Sequence, residues 1–293
     1  MGLKKFVNHL RWTLLVLLVL APLVGCGEEP ATEEESAMQE PAPEEPTIEA
    51  QTKAAAAANS SLSYVALGDS LATGYGATEG YVYRYADLLS VDTGTTIDVR
   101  NLGVNGLTSE RLRTEIEDNN AVRNAIRQAE IVTINIGAND LLRARWSYRT
   151  GGCGGADNQD CLRQTVSNFQ ANWDAVLTDV AGLRSPDAAI IRTTDFYNPS
   201  VDTDRATGSW PDAGANDFEV FKRYLEQVNS HIAESSDAYG IPHARVYEAF
   251  NGPNGDEDPS TKGYMSPDVI HPNDSGHAAI ARELRGLAYE PLY

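Results

Sequence analysis

Four short stretches of this chain carry side chains that together can move an acyl group. They are Gly68-Asp69-Ser70-Leu71, the segment around Gly103, Gly137-Ala138-Asn139-Asp140, and Asp268-Val269-Ile270-His271-Pro272. A serine hydroxyl is a weak nucleophile until a base takes its proton, and histidine is the side chain whose ordinary pKa suits that task near neutrality. The imidazole needs its second nitrogen held, and Asp268, three residues before His271, has the spacing to reach it within a tight loop. Attack of Ser70 on an ester carbonyl would put negative charge on the carbonyl oxygen, which must meet preorganised donors. The backbone N–H groups of Ser70 and Gly103 and the side-chain amide of Asn139 are the candidates, with glycine at 103 expected to let backbone approach a ligand closely. Ser70 at a helix start would also gain from the helix dipole.

Such residues act together only if the fold brings them to one place. Apolar, β-branched runs of strand length occur at 64–67, 96–101, 131–136, 188–194 and, more weakly, 244–247. Segments with helical spacing lie between and after them, at 81–91, 109–126, 162–183, 218–238 and 275–289. Alternating strands and helices imply βαβ units, and near-continuous apolar strands imply a parallel sheet covered on both faces. The expectation is an α/β fold, a doubly wound sandwich on a five-stranded parallel sheet. Ligands in such folds bind beyond the carboxyl ends of the strands. Ser70, Gly103 and Asn139 each follow a predicted strand closely, and Asp268 and His271 precede the last helix.

The four blocks, in this order, resemble those of the SGNH hydrolases of the GDSL family, over residues 62 to 290. The resemblance implies a three-layer α/β/α sandwich of flavodoxin-like type. It makes Ser70 the nucleophile, His271 the base and acid, Asp268 its orienting partner, and Gly103 and Asn139 oxyanion donors. Members are esterases, lipases, thioesterases or carbohydrate deacetylases, so the reaction is better defined than the substrate. The expected activity is a serine esterase acting on a small-molecule acyl ester, either a lipid or an O-acetylated glycan. A transferase passing the acyl group to an alcohol or sugar, and a non-catalytic glycan-binding module, are the alternatives. The second glycine of a Gly-x-Ser-x-Gly elbow is missing, which argues against an α/β-hydrolase.

Other polar residues have plainer readings. Asp69 is expected to hydrogen-bond its turn, and Asp140 to sit at a helix start. His231, His243 and His277 lack zinc-like spacing, and Asp256-Glu257-Asp258 lacks the order of a calcium loop, so no metal or other cofactor is expected. The segment from Leu141 to Asp160, with Trp146, Tyr148 and many glycines, should lie beside the cleft and wall a substrate pocket, with Trp146 either in that wall or in the core.

Residues 1–25 have a basic start, with Lys4, Lys5 and Arg11, followed by an apolar run from Trp12 to Val24. The run is short for a membrane span and reads as a secretory leader. Its end, Leu23-Val24-Gly25-Cys26, resembles the lipobox of bacterial lipoproteins, which implies cleavage before Cys26 and a lipid anchor on its thiol. Residues 27–60 hold nine Glu against one Lys, with four Pro, and read as a disordered tether spanning roughly 30 Å as a coil. Residues 61–293 then form a single domain, expected to be monomeric, exported and held at the cell envelope. Of the three cysteines, Cys153 and Cys161 remain, an even pair that in an exported protein suggests a disulfide. The net charge of −19 at pH 7 argues against nucleic acid or an anionic lipid surface as the direct partner.

Overall fold

The computed structural model describes residues 61–210 and 214–293. The leader, Cys26 and the tether lie outside the described residues. Five strands form one sheet: β1 (Ser61–Gly68), β2 (Thr96–Asn101), β3 (Ile131–Asn135), β4 (Ile190–Thr194) and β5 (His243–Ala244). They pair in the order β2-β1-β3-β4-β5, every pair parallel. Burial explains that order. All residues of β3 and β4 are buried, as interior strands covered on both faces require, whereas β2 alternates exposed with half-buried residues and forms an edge.

The helices are α1 (Ser70–Thr73), α2 (Tyr81–Thr93), α3 (Ser109–Asp118), α4 (Asn120–Gln128), α5 (Ala138–Arg149), α6 (Asp160–Leu183), α7 (Val201–Arg205), α8 (Asp217–Ala238), α9 (Val246–Asn251) and α10 (Asp274–Arg285). The period of two along β1 divides the core between two layers. Val65 and Leu67 face a cluster with Ile116, Phe169, Trp173 and Val228 from α3, α6 and α8. Tyr64 and Ala66 face a second cluster with Tyr81, Leu89, Phe250 and Ile280 from α2, α9 and α10. The fold is a three-layer α/β/α sandwich.

Two elements differ from the sequence reading. The helix expected over 109–126 is two helices, because Asn119 leaves the helical region (ψ 101°) and its side chain accepts from the N–H groups of Ala121 and Val122, ending α3 and capping α4. The fifth strand is only His243–Ala244. Val246 and Tyr247 belong to α9, and Tyr247 N–H donates to Asp195 Oδ1 across 2.8 Å, so a buried carboxylate starts a helix where apolar composition suggested strand.

Cys153, just beyond α5, is bonded to Cys161 at the start of α6. Closing so short a loop restricts the unfolded chain by about 2 to 3 kcal/mol. Reduction is expected to lower the urea midpoint by the corresponding amount. An unchanged midpoint in dithiothreitol would show that the bond does not contribute.

Candidate active site

The chain leaves β1 and returns on either side of it as β2 and β3, so the topological switch lies at the carboxyl ends of β1 and β3. Ser70 follows one of those ends and Asn139 the other. Gly68 is required there, since a Cβ would stand 2.5 Å from the carbonyl oxygen of Asn135 on β3. Asp69 then turns the chain, its Oδ1 accepting from Leu71 N–H across 3.0 Å as the N-cap of α1. Ser70 is the first residue of that one-turn helix, which Gly74 ends in the left-handed region.

His271 arrives from the other end of the sequence. Its Nε2 lies 3.0 Å from Ser70 Oγ, and its Nδ1 lies 2.6 Å from Asp268 Oδ2. The other oxygen of Asp268 accepts from Ser266 Oγ at 2.7 Å and from the N–H groups of Ile270 and His271, both at 2.9 Å. Burial by itself would raise the pKa of this carboxyl, but the donors from His271, Ile270 and Ser266 outweigh burial and hold it well below the usual carboxylate range. Asp268 therefore stays ionised opposite the imidazole. The loop is strained: Val269, a β-branched residue, has φ of 54°, a conformation that persists only where surrounding contacts over-determine it. Those contacts include Ser266 N–H to His271 O at 2.9 Å and Tyr197 Oη to Ile270 O at 2.7 Å. Tyr75 adds a ring 4.6 Å from the imidazole centroid.

The structure therefore gathers Ser70, Asp268 and His271 into one hydrogen-bonded row, but it treats two expected oxyanion donors differently. The Gly103 N–H donates to Asn101 Oδ1 at 2.9 Å, and a Cβ at 103 would meet Ala72 Cβ at 2.8 Å and Thr73 N at 3.0 Å. Close packing on α1, rather than on a ligand, is what demands glycine there. Asn139 Nδ2 donates to Leu107 O at 3.0 Å and to Asp69 Oδ2 at 3.1 Å, so both amide hydrogens have internal acceptors. A donor held away from bulk water takes such an acceptor because leaving it unpaired is costly. A substrate oxyanion would have to exchange for these partners, whereas the Ser70 N–H, at the open first turn of α1, has no acceptor among the described residues. Asp69 is buried, which pushes its carboxyl up to about 7. Its two bonds tie the nucleophile's turn to Asn139, the structural role expected for it.

Several of the remaining acids and histidines hold structure. Asp140, in the first turn of α5, accepts from Ser109 N–H and Oγ at the start of α3. His231 pairs with Asp174, Glu257 pairs with Lys262, and Asp258 caps the short helix 259–262. His277 is more telling. It is buried, its Nδ1 accepts from Tyr81 N–H at 3.2 Å, and Nε2 faces the carbonyl of Tyr75, whose ring packs on His271. Burial pulls its pKa down to about 4. The folded protein thus binds fewer protons at this site than the unfolded chain between pH 4 and 6.5, so the stabilisation is present above that window and lost as pH falls through it. Relative to a His277→Gln variant, the wild type is expected to lose about 3 kcal/mol from pH 7 to pH 4. The comparison removes the opposite contributions of Asp69 and Asp195, both buried with pKa values pushed up to about 7. Parallel stability profiles for the two proteins would contradict it. Among the described residues no group of three or more His, Cys, Asp or Glu is placed to hold a metal ion.

A pocket of about 270 Å³ opens beside Ser70 and His271 and runs into the layer of α5, α6 and α8. Leu141, Leu142, Leu162, Phe221 and Leu225 give it a mainly apolar lining. The segment after Asn139 does wall the pocket, but not with the residues singled out for it. It begins as helix α5, whose inward face supplies Leu141 and Leu142. Trp146 is 70% exposed, neither wall nor core, while Tyr148 is buried in edge contact with Phe221. The loop closed by the disulfide contributes no lining residue.

The sequence model of the GDSL-like lipase/acylhydrolase family matches residues 66–279, which include all four motif blocks. The chain belongs to that family. A spore germination lipase of Bacillus licheniformis is 23% identical over 236 residues, 79% of this chain and 98% of the relative. Among solved structures, a lipase from a goat rumen metagenome superposes with a TM-score of 0.64 at 23% identity, covering 79% of this chain and all of the other. An acetylxylan esterase of Geobacillus stearothermophilus gives 0.53 at 18%, covering 80% and 97%. At these identities the structural matches speak for the fold, which is that of the SGNH hydrolases. For a GDSL-family chain, residues outside the four blocks still matter: Asn101, Tyr197 and Ser266 support the site but have side chains common in any loop, and no spacing in the sequence marked them.

Proposed function

We propose that this GDSL-family protein is a serine carboxylic-ester hydrolase working through an acyl-enzyme. The observation that carries the reading is the row Ser70 Oγ, His271 Nε2, His271 Nδ1 and Asp268 Oδ2, with spacings of 3.0 and 2.6 Å, at the mouth of an apolar pocket. Ser70 Oγ attacks the ester carbonyl while its proton passes to His271 Nε2. The imidazolium is stabilised by ionised Asp268. The tetrahedral intermediate collapses, the C–O bond to the alcohol breaks, and the alkoxide leaves with the proton from Nε2. Water enters and attacks the acyl carbon as His271 takes its proton; the second intermediate collapses, the C–Oγ bond breaks, Nε2 returns the proton to Ser70 Oγ, and the acid departs. The oxyanion is met by the Ser70 N–H first, with Asn139 and Gly103 joining as their internal bonds exchange.

The lipase relatives and the apolar pocket favour an acyl chain over a bare acetyl group. A leader ending at the Cys26 box supports export and lipid anchoring at the cell envelope, with the domain acting on esters delivered from solution or from neutral surfaces. The test is labelling of the protein by a fluorophosphonate together with hydrolysis of nitrophenyl esters. One label per chain, lost on Ser70→Ala, with free acid as product, supports the reading; no labelling and no turnover would refute it. Diversion of the acyl group to added alcohol in place of free acid would make the protein a transferase. Removing the amide in Asn139→Ala is expected to lower kcat by about 10²- to 10³-fold with little change in KM. Equal activity would show that Asn139 serves only to brace Asp69 and Leu107.

A further inference from the structure

The apolar pocket does not end on apolar groups. One face of α5 runs along it as Ala138, Leu141, Leu142 and Arg145, the spacing of a single helical stripe. At the inner end of that stripe the Arg145 guanidinium bonds Asp204 Oδ1, and both residues line the pocket. The pair is anchored from behind. Asp204, from α7, has no exposure and also accepts from Arg149 Nη2 at 2.7 Å, while Arg149 Nε donates to buried Asp217 at 3.0 Å. Asp217 is in turn bonded by Ser209 N–H and Oγ. The Arg145 guanidinium further lies 5.3 Å over the Phe221 ring. Stripping a fully buried carboxylate of a partner is more unfavourable than burying a few more methylenes is favourable, so an alkyl chain does not readily push the pair aside.

Building on the ester-hydrolase reading, we propose that the Arg145–Asp204 pair is the floor of the acyl site and limits it to a medium-length chain. The length of the helix sets the limit. Arg145 stands six residues beyond Asn139, roughly 9 Å along the helix. A fully extended chain advances roughly 1.2 Å per bond, so about seven bonds, or about eight carbons, fill that distance. Octanoyl esters fit; palmitoyl esters must leave half the chain outside.

The test uses the full-length protein and nitrophenyl acetate, butyrate, hexanoate, octanoate, decanoate and palmitate. Active sites are counted with a fluorophosphonate. The kcat/KM of the wild type is expected to climb to octanoate and drop beyond it. In Arg145→Met the apolar path lengthens, and the ratio of decanoate to butyrate is expected to rise about tenfold, the effect of burying about two more methylenes. Because the readout is a ratio, a general loss of active enzyme cancels. Leu142→Phe, one turn before the floor, is expected to move the limit the other way. Should Arg145→Met fail to fold, alkyl fluorophosphonates of the same lengths on the wild type give the same ladder of labelling rates. A maximum at acetate, or a ratio unmoved by Arg145→Met, would overturn the floor while Ser70 labelling left the hydrolase reading intact. Absence of both labelling and turnover would instead bring down the hydrolase reading itself.

Discussion

Ser70→Ala is expected to lower kcat by about 10⁶-fold, with the fold and the pocket unchanged. The argument rests on how little else the substitution touches. Ser70 Oγ makes one contact with the rest of the site, to His271 Nε2, and the turn that presents it is held by Asp69 and Gly74. Alanine is a good helix former, so α1 should persist. Without the hydroxyl no acyl-enzyme can form, and only water activated by His271, aided by whatever binding the pocket retains, can attack the ester. Single-turnover assays with mass detection of the acyl adduct check both halves: the adduct should be absent and the melting temperature preserved. A variant retaining a tenth of the activity would mean that another group is the nucleophile. Asp69 would be the first suspect, though its two internal bonds and burial leave it poorly disposed for that role.

Asp268→Asn should be nearly isosteric and still cost about 10⁴-fold in kcat. Asp268 Oδ1 accepts three hydrogen bonds from its own loop, so an asparagine places its carbonyl oxygen there and its NH2 where Oδ2 stood. That group is a donor facing His271 Nδ1, which must then accept. The proton moves to Nε2, the nitrogen that has to take the proton of Ser70, and the base is lost with the loop still in place. Because the loop donors hold the carboxyl well below its usual range, no acidic titration of Asp268 should appear in the pH–rate profile above pH 4. Asp268→Ala makes the useful contrast. It removes the acceptor of both loop N–H groups as well, and Val269, strained at φ 54°, loses part of what holds it. It should therefore lose stability in addition to rate, whereas the asparagine variant loses rate alone. Equal melting temperatures for the two would show that the loop does not depend on this carboxylate.

The row from Ser70 to Asp268 could be read from the chain because each residue has a type suited to one task, Ser70 sits where a strand of a parallel sheet ends, and Asp268 and His271 precede the last helix. Short apolar, β-branched runs placed β1, β3 and β4 well, since these strands are largely buried, although β4 also buries Arg192, Thr193 and Thr194. Apolar patterning failed where polar side chains decide the backbone. Asn119 breaks a helix by capping, and Asp195 converts the end of β5 into the start of α9; neither effect is visible in hydrophobic spacing. The oxyanion donors show the same limit. That Asn139 and Gly103 are near the site follows from the motifs, but that their hydrogens are already engaged depends on Asp69 and Leu107, from two other segments, and on the side chain of Asn101, two residues before Gly103. Trp146 shows how little aromatic character alone decides: it stands one turn beyond Leu142 on α5, yet it is 70% exposed and does not line the pocket.

Ser70 and His271 are 201 residues apart, and the sheet's first strand carries one while the loop before its last helix carries the other. During vectorial synthesis at about 5 to 20 residues per second, the nucleophile is therefore made roughly 10 to 40 s before its base exists. Throughout that interval the chain lacks the base of the proposed row, and a message truncated before codon 271 is expected to yield an inert product. Onset of ester cleavage on the ribosome is thus a clock for the docking of the final loop.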